Sequence, residues 1–514
     1  MAAALLAAPL SQSAFLARAQ APTQASLAER VQQLSDAMAR TQAQLETSQR
    51  ELEEMRRQLG ELRLQIAQGG PPVATQPTSA AAADPSLVSP QESSKSDSAI
   101  QDLREHQEIQ DSQIATQEQT KVESDSKYPL KVTGMLLLNA FKNTSAVDMA
   151  ANPSVATGGS GSLGASVRQT ILGFDAHGPH IFGASSFADL RVDFYGNQAA
   201  SASTTSYSGY DNANFALLRL RTAHAGLLWS WTQAYFALDR PIISPDMPTS
   251  LTATAVPALA WSGNLWTWNP QAVITQNLSR PGSAGVELQA ALIDVGDAPL
   301  TPVVPPTSTA TSTGLNSAEQ SSKPGVEARI ALVGPERDDG HSHIGVGGYF
   351  APHVSSLGRN FDSWAGTLDV RFPLVARLEL SGNFYRGAAL GGLGGGGYKD
   401  FAYKPNFLTG GFYFRPLDDV GGWAQLKEKV NERLEFNAAY GMDDVFAGEL
   451  QRYYVPGGST IQNLARNRTY TGNVIYSPSA YLLFSLEFRH LESIPIEDSP
   501  NTSNIIGLGA GYRF

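Results

Sequence analysis

From Tyr128 to the last residue the chain alternates apolar and polar side chains with a period of two. The pattern is sharpest at 186–195, where Ala188, Leu190, Val192 and Phe194 alternate with Phe187, Asp189, Arg191, Asp193 and Tyr195. It recurs with Leu218 and Leu220 against Arg219 and Arg221, and with Val326, Ala328, Ile330 and Leu332 against Glu327 and Arg329. It returns with Leu368, Val370 and Phe372 against Asp369 and Arg371, with Leu434, Phe436 and Ala438 against Glu435 and Asn437, and with Leu482, Phe484, Leu486 and Phe488 against Ser485, Glu487 and Arg489. A side-chain period of two is the mark of a strand, and here its two faces suit two different surroundings.

The spacing predicts strands near 128–141, 166–177, 185–195, 214–223, 229–238, 265–278, 284–293, 324–334, 343–351, 363–373, 377–386, 418–428, 433–442, 466–477, 481–490 and 504–514. That is about sixteen, an even number, and the connections between them alternate long and short. A soluble sandwich has no reason to keep that rule; an all-β transmembrane antiparallel barrel does, with short periplasmic turns and long outside loops. The rule puts both termini of the barrel on the periplasmic side. No run of about 20 apolar residues occurs, but a barrel strand needs only about ten alternating ones.

The last strand carries the strongest constraint. In Asn504–Phe514, Ile506, Leu508, Ala510, Tyr512 and Phe514 share one face, and Ile505, three glycines and Arg513 share the other. The expectation is that Ile506, Leu508, Tyr512 and Phe514 face lipid and that this strand closes the barrel on the strand at 128–141. Without that pairing two sheet edges would lie open in hydrocarbon.

The first 127 residues read differently. Ala2–Leu10 is a small apolar run, and Ala17-Arg18-Ala19 is a cleavage pattern before Gln20, so residues 1–19 read as a signal peptide. No Lys or Arg precedes Arg18, so the charged n-region is missing and the signal reads as truncated. Residues 20–68 carry a heptad: Val31, Met38, Leu45, Leu52, Leu59 and Ile66 at a, and Leu27, Leu34, Thr41, Ser48, Met55 and Leu62 at d. This predicts an α-helical coiled coil, and the mixed seam leaves dimer and trimer open. Residues 69–127 read as a Pro-, Ala- and Ser-rich linker with a marginal helix.

Net charge of -11 without a basic cluster argues against nucleic acid, and the absence of cysteine excludes disulfides and thiolate metal sites. No cofactor motif is expected: Gly392–Gly397 matches G-x-G-x-x-G, but no βαβ unit surrounds it, so it reads as a flexible outer loop. Asp338, Asp339, His341 and His343 read as a solvated turn rather than a metal site. No nucleophile motif appears, so no enzyme activity is expected.

The candidate site is the inward face. The expected pore-lining residues are Asp189, Arg191, Asp193, Arg219, Arg221, Arg329, Asp369, Arg371, Glu379, Glu435, Glu487 and Arg489. Arg191, Arg219 and Arg221 form the expected anion-attracting patch. Residues 239–264 are long, apolar and proline-rich, flanked by Trp229, Trp231, Trp261, Trp266 and Trp268. Such a segment would be an aggregation hazard outside, so it is expected to fold inward as a constriction loop carrying Asp239, Arg240 and Asp246. Tryptophans near strand ends are also expected at the membrane interfaces.

A signal, a heptad coil, a linker and a sixteen-strand domain ending in Tyr512-Arg513-Phe514 resemble the DcaP-like trimeric outer-membrane porins. Gln119–Ser124 is similar to the lead into the first strand of acidobacterial porin-like proteins. The resemblance implies a homotrimer, passive diffusion of small hydrophilic and often anionic solutes, and a periplasmic coil. The terminal Phe is the feature expected to engage the barrel-assembly machinery. A second reading stays open: a structural envelope protein whose coil tethers or spaces the outer membrane, through peptidoglycan, with the barrel as anchor.

Overall fold

The computed structural model describes residues 130–196, 217–278, 283–300, 314–335, 342–375, 377–406, 408–409, 411–453 and 458–514. The expected signal peptide, coiled coil and linker, and Asp338, Asp339 and His341, lie outside these residues.

The strands are β1 (Leu130–Val147), β2 (Ala156–Ser166), β3 (Ile171–Ile181), β4 (Ala184–Gly196), β5 (Leu217–Leu228), β6 (Thr232–Asp239), β7 (Asn269–Asn277), β8 (Gly285–Ile293), β9 (Gly325–Val333) and β10 (His343–Val354). They continue as β11 (Asn360–Val375), β12 (Leu378–Ala388), β13 (Phe401–Asn406), β14 (Gly411–Pro416), β15 (Asp418–Asn431), β16 (Leu434–Val445), β17 (Leu464–Tyr476), β18 (Leu482–Pro495) and β19 (Asn501–Arg513). All but β13 and β14 belong to one antiparallel sheet. β2 pairs with one half of β1 (Asn139↔Ser166 to Val147↔Ala156) and β3 with the other (Leu130↔Ala176 to Met135↔Ile171). They are two halves of one barrel strand, so the closed barrel has sixteen positions.

Closure comes from β1 and β19, in register from Met135↔Arg513 to Asn143↔Ile505. Gly134 N donates to Phe514 O at 2.9 Å, and Phe514 N donates to Gly134 O at 3.1 Å. A Cβ on Gly134 would lie 2.6 Å from the Phe514 ring, so only glycine lets the terminal ring lie flat on this strand. Ile506, Leu508, Tyr512 and Phe514 are exposed on the outward face, while Ile505 is buried inward. The pairing of β1 with β19 joins the two ends of the sheet, as a hydrocarbon surrounding requires.

Two parts were absent from the strand reading. β2 extends the second barrel strand through a Gly- and Ser-rich stretch. β13 and β14 form a separate hairpin in the connection between β12 and β15.

Candidate functional site: the barrel interior

Proline ends β6. Asp239 is the last residue of the ladder, and Pro241, Pro245 and Pro248 follow without an N–H to extend it. The connection 240–268 then runs along the inner wall. Ile242 N donates to Glu327 Oε2 on β9 at 2.8 Å, and Asn383 Nδ2 on β12 donates to Ile243 O at 3.0 Å. Thr249 N donates to Gln425 on β15 at 2.6 Å, and Asn473 on β17 donates to Thr249 O at 2.8 Å. Ser250 donates to Glu487 on β18 at 2.5 Å. Gln169, between β2 and β3, accepts from Thr254 N and Ala255 N at 2.8 and 3.0 Å. Arg221 and Arg219 on β5 donate to Thr254 O and Ala255 O at 2.7 and 2.6 Å. The segment returns past β17, where Asn467 Nδ2 donates to Trp261 O at 2.9 Å.

Missing side chains on the wall make room for it. A Cβ on Gly507 would lie 3.1 Å from Thr252, one on Gly509 3.2 Å from Leu251, and one on Gly441 2.1 Å from Ser262 O. Gly263 lies against the Gly422 carbonyl with φ +94, a backbone conformation only glycine adopts without strain. Trp261 is buried inside and stacks on Tyr398 with centroids 4.0 Å apart, and Trp266 and Trp268 meet edge to face at 5.6 Å. These three tryptophans are interior residues, not members of an interfacial belt: their indoles fill the space between inner segments. Trp231 is exposed at the short turn between β5 and β6.

The six arginines expected to line the pore each have a carboxylate within ion-pair distance. Arg191 pairs with Asp175 at 2.6 Å. Arg219 and Arg221 both converge on buried Asp193, at 2.5 and 3.1 Å. Arg329 bridges Asp369 at 2.7 Å and Glu287 at 3.1 Å. Arg371 lies 3.3 Å from Glu379 and 3.6 Å from Asp246, and Arg489 lies 2.6 Å from Glu487. Asp189 and Asp239 flank His224, at 2.9 Å from Nδ1 and 3.0 Å from Nε2. Glu435 accepts from Asn437 at 2.8 Å, and Arg240 donates to Pro245 O at 2.8 Å. His343 Nε2 lies 3.0 Å from Asp246.

Exposure differs among these groups. Along β3–β6, Arg191, Asp175, Asp189, His224 and Asp239 keep 21–33% of their side-chain surface open. Under or beside 240–268, Asp193, Asp369, Glu487 and Arg489 keep 0–5%, while Arg371, Glu379 and Glu287 across the barrel keep 22–25%. Part of the β3–β6 wall is therefore open, as is the patch around Arg371 and Glu379, while the buried polar groups serve to hold the loop. Sequence reading picked out the charges but not the amides Gln169, Asn383, Gln425, Asn467 and Asn473, which carry much of the loop's hydrogen bonding. Their only signal was inward register. Above Arg219 and Arg221, the Trp268 ring lies 5.0 Å from both guanidiniums.

The Gly-rich segment is not an exposed flexible loop. Residues 389–402 are buried throughout and fold in two short 3-10 turns, Gly391–Leu393 and Gly396–Tyr398, against the returning part of 240–268. Trp266 N donates to Leu393 O at 3.1 Å, and Thr267 Oγ1 donates to Gly392 O at 2.7 Å. Gly396 N and Gly397 N donate to Asp419 and Asp443 at 2.7 and 2.8 Å. Lys399 Nζ donates to the carbonyls of Gly397, Ile461 and Leu464 at 2.6–3.2 Å, and burial pulls its pKa down to about 7. Burial likewise pushes Asp400 up to about 7, although Gly392 N and Ala298 N donate to it. This segment caps the inward loop from the long-connection end.

With this geometry in hand, comparison places the fold. The barrel superposes on the outer-membrane channel DcaP of Acinetobacter baumannii with a TM-score of 0.54 at 17% identity, over 76% of this chain and 99% of that one. The fold is shared with an outer-membrane channel. Looser likenesses are an anion-selective porin from Comamonas acidovorans (TM-score 0.44, 10% identity, 76% and 100% covered) and Salmonella typhi OmpF (0.45, 11%, 75% and 98%). No protein-family model matches the chain, and no curated protein matches it by sequence.

Proposed function

We propose that this chain is an outer-membrane porin through which small hydrophilic solutes diffuse passively, along the β3–β6 wall and past an inward constriction loop. The observation that carries the reading is the contrast between the two faces of one closed sheet. Leucines, valines and aromatics are exposed outside, while paired charges are half-exposed inside. Only a barrel in lipid with water within gives both faces a suitable solvent. The lining residues are Asp189, Arg191, Arg219, Arg221, Arg371, Glu379 and Glu435, with Asp239, Arg240 and Asp246 on or beside the constriction; Asp193, Arg329, Asp369, Glu487 and Arg489, also expected to line the pore, are buried and serve to tie the wall and the loop together. Because each lining arginine has a carboxylate partner, any preference for anions is modest. No catalytic role is assigned.

The termini of the barrel stand on the periplasmic side, the chain assembles as a homotrimer, and residues 20–68 form a periplasmic coiled coil. The closing strand, ending on Phe514, is the segment offered to the assembly machinery. One observation favours the second reading, in which the barrel is chiefly an anchor for an envelope-spacing coil: 240–268 is largely buried inside the barrel and tied to the wall at many points. Liposome swelling decides between them. Proteoliposomes should swell in isotonic solutions of small sugars and amino acids, at rates that fall with solute size. Folded barrels that give no swelling would favour the anchor.

A further inference from the structure

The outward face carries a recess. Phe236, Ala272, Leu292, Val326, Phe350 and Trp364 stand side by side across β6–β11, each in direct register with the next. Phe350 and Trp364, both exposed, set this row at the level where aromatic side chains meet a membrane interface. Ala272 is the one small residue in the row, and it leaves a gap between the exposed Phe236 and Leu292. Residues 314–324, which lead into β9, overhang that gap from one side. Ala318, Glu319, Ser322, Lys323 and Pro324 form one side of a largely apolar cavity of about 600 Å³, and Phe236, Ala272 and Leu292 form the floor.

This roof is built, not draped. A short helix, α1 (Ser317–Gln320), starts with a capping box in which Glu319 N donates to Asn316 Oδ1 at 2.8 Å and Asn316 N donates to Glu319 Oε2 at 2.7 Å. Ser317 N donates to Asp297 at 2.8 Å, and Ser317 Oγ lies 2.8 Å from His353 Nδ1. Ser322, at φ +57, turns the chain back toward β9.

We propose that this recess seats an acyl chain of an outer-leaflet lipid, lying on Ala272 between Phe236 and Leu292. The proposal rests on the outer-membrane reading above. An apolar hollow offers water few hydrogen bonds, and the hydrocarbon layer begins just below this interfacial row. A second barrel would present a convex wall, which bridges such a recess rather than filling it. Asp294 and Glu319 stand at the rim beside Lys323, so charge does not draw an anionic headgroup here; the apolar chain is what the site fits.

The test uses the full chain, extracted from outer membranes in mild detergent, with bound lipid counted by native mass spectrometry. Ala272→Trp fills the recess, and Ala438→Trp adds the same bulk to the outward face of β16. Wild type and Ala438→Trp should retain lipid, and Ala272→Trp should lose it. Equal retention in Ala272→Trp, or none in wild type, overturns the proposal. The chain has no cysteine, so Ala272→Cys reports contact between copies directly; efficient cross-linking there would assign the recess to a second copy and also overturn it. Fractionation away from the outer membrane would sink the functional reading instead, so the two failures are told apart.

Discussion

Replacing Asp193 with Asn should weaken the inward loop and make the channel more anion-selective. Asp193 is fully buried and accepts from Arg219 Nε and Nη2 at 3.0 and 2.5 Å and from Arg221 Nη1 at 3.1 Å. The same guanidiniums hold Ala255 O and Thr254 O of the loop. Asn keeps the shape but leaves two cations without their carboxylate. Breaking a buried pair costs about 3–5 kcal/mol; Arg219 is one-quarter exposed, so water offsets part of this and about 1–3 kcal/mol is expected. The unbalanced charge also acts on passing ions. At about 6 Å in water it contributes roughly 0.7 kcal/mol, reduced to roughly 0.4 kcal/mol by screening over a Debye length of about 10 Å. Anions gain this and cations lose it, which gives a roughly fourfold rise in the anion-to-cation permeability ratio. The assay is the reversal potential of single channels in a salt gradient, alongside denaturant unfolding. An unchanged reversal potential in a folded, conducting Asp193→Asn barrel would refute a permeation path along β3–β6.

Gly441→Val places a Cβ where the Ser262 carbonyl lies, so the loop should come off β16 and the open-channel current should become noisier; a current as quiet as wild type would contradict the docked loop. Asp400 is raised by burial from 3.8 to about 7, so docking of the Gly-rich cap should lose stability as pH rises through that interval. In Asp400→Asn the hydrogen-exchange protection of the Gly391–Leu393 amides, corrected for intrinsic rate, should fall less steeply over the same range; a slope equal to wild type counts against the assignment. Deleting 501–514 removes β19 and leaves β1 and β18 unpaired, so the chain should give no heat-modifiable folded band on gels; a folded band would show that closure does not depend on this strand.

The barrel was legible because each strand carries its two solvents in its own side chains. Leu368, Val370 and Phe372 against Asp369 and Arg371 fix both strand and face. The strand reading failed where that contrast is missing: Ala156–Ser166 has mostly glycine, serine and alanine on both faces, so nothing in it alternates. The inward course of 240–268 was legible from prolines and apolar residues that would be unsafe outside. Its fastening was not. Gln169 and Asn467 look like any inward polar residue until the loop's carbonyls and N–H groups meet them. Low-complexity glycine misled in a different way. Gly392 has Gly296 O where a Cβ would go, 2.3 Å away, and Gly394 turns at φ +102 against Trp266. Glycine there answers close packing between inner segments, which sequence alone does not distinguish from an exposed loop. The partners of Arg191, Arg219 and Arg221, Asp175 on β3 and Asp193 on β4, were not legible, because they depend on which strands adjoin.

The most direct test of the central claim is the conductance of purified, heat-modifiable full-length protein in a planar lipid bilayer. The account predicts discrete current steps, proportional to voltage and to salt concentration, that shift in selectivity when Asp193 is changed. Folded barrels that insert and carry no current would contradict it.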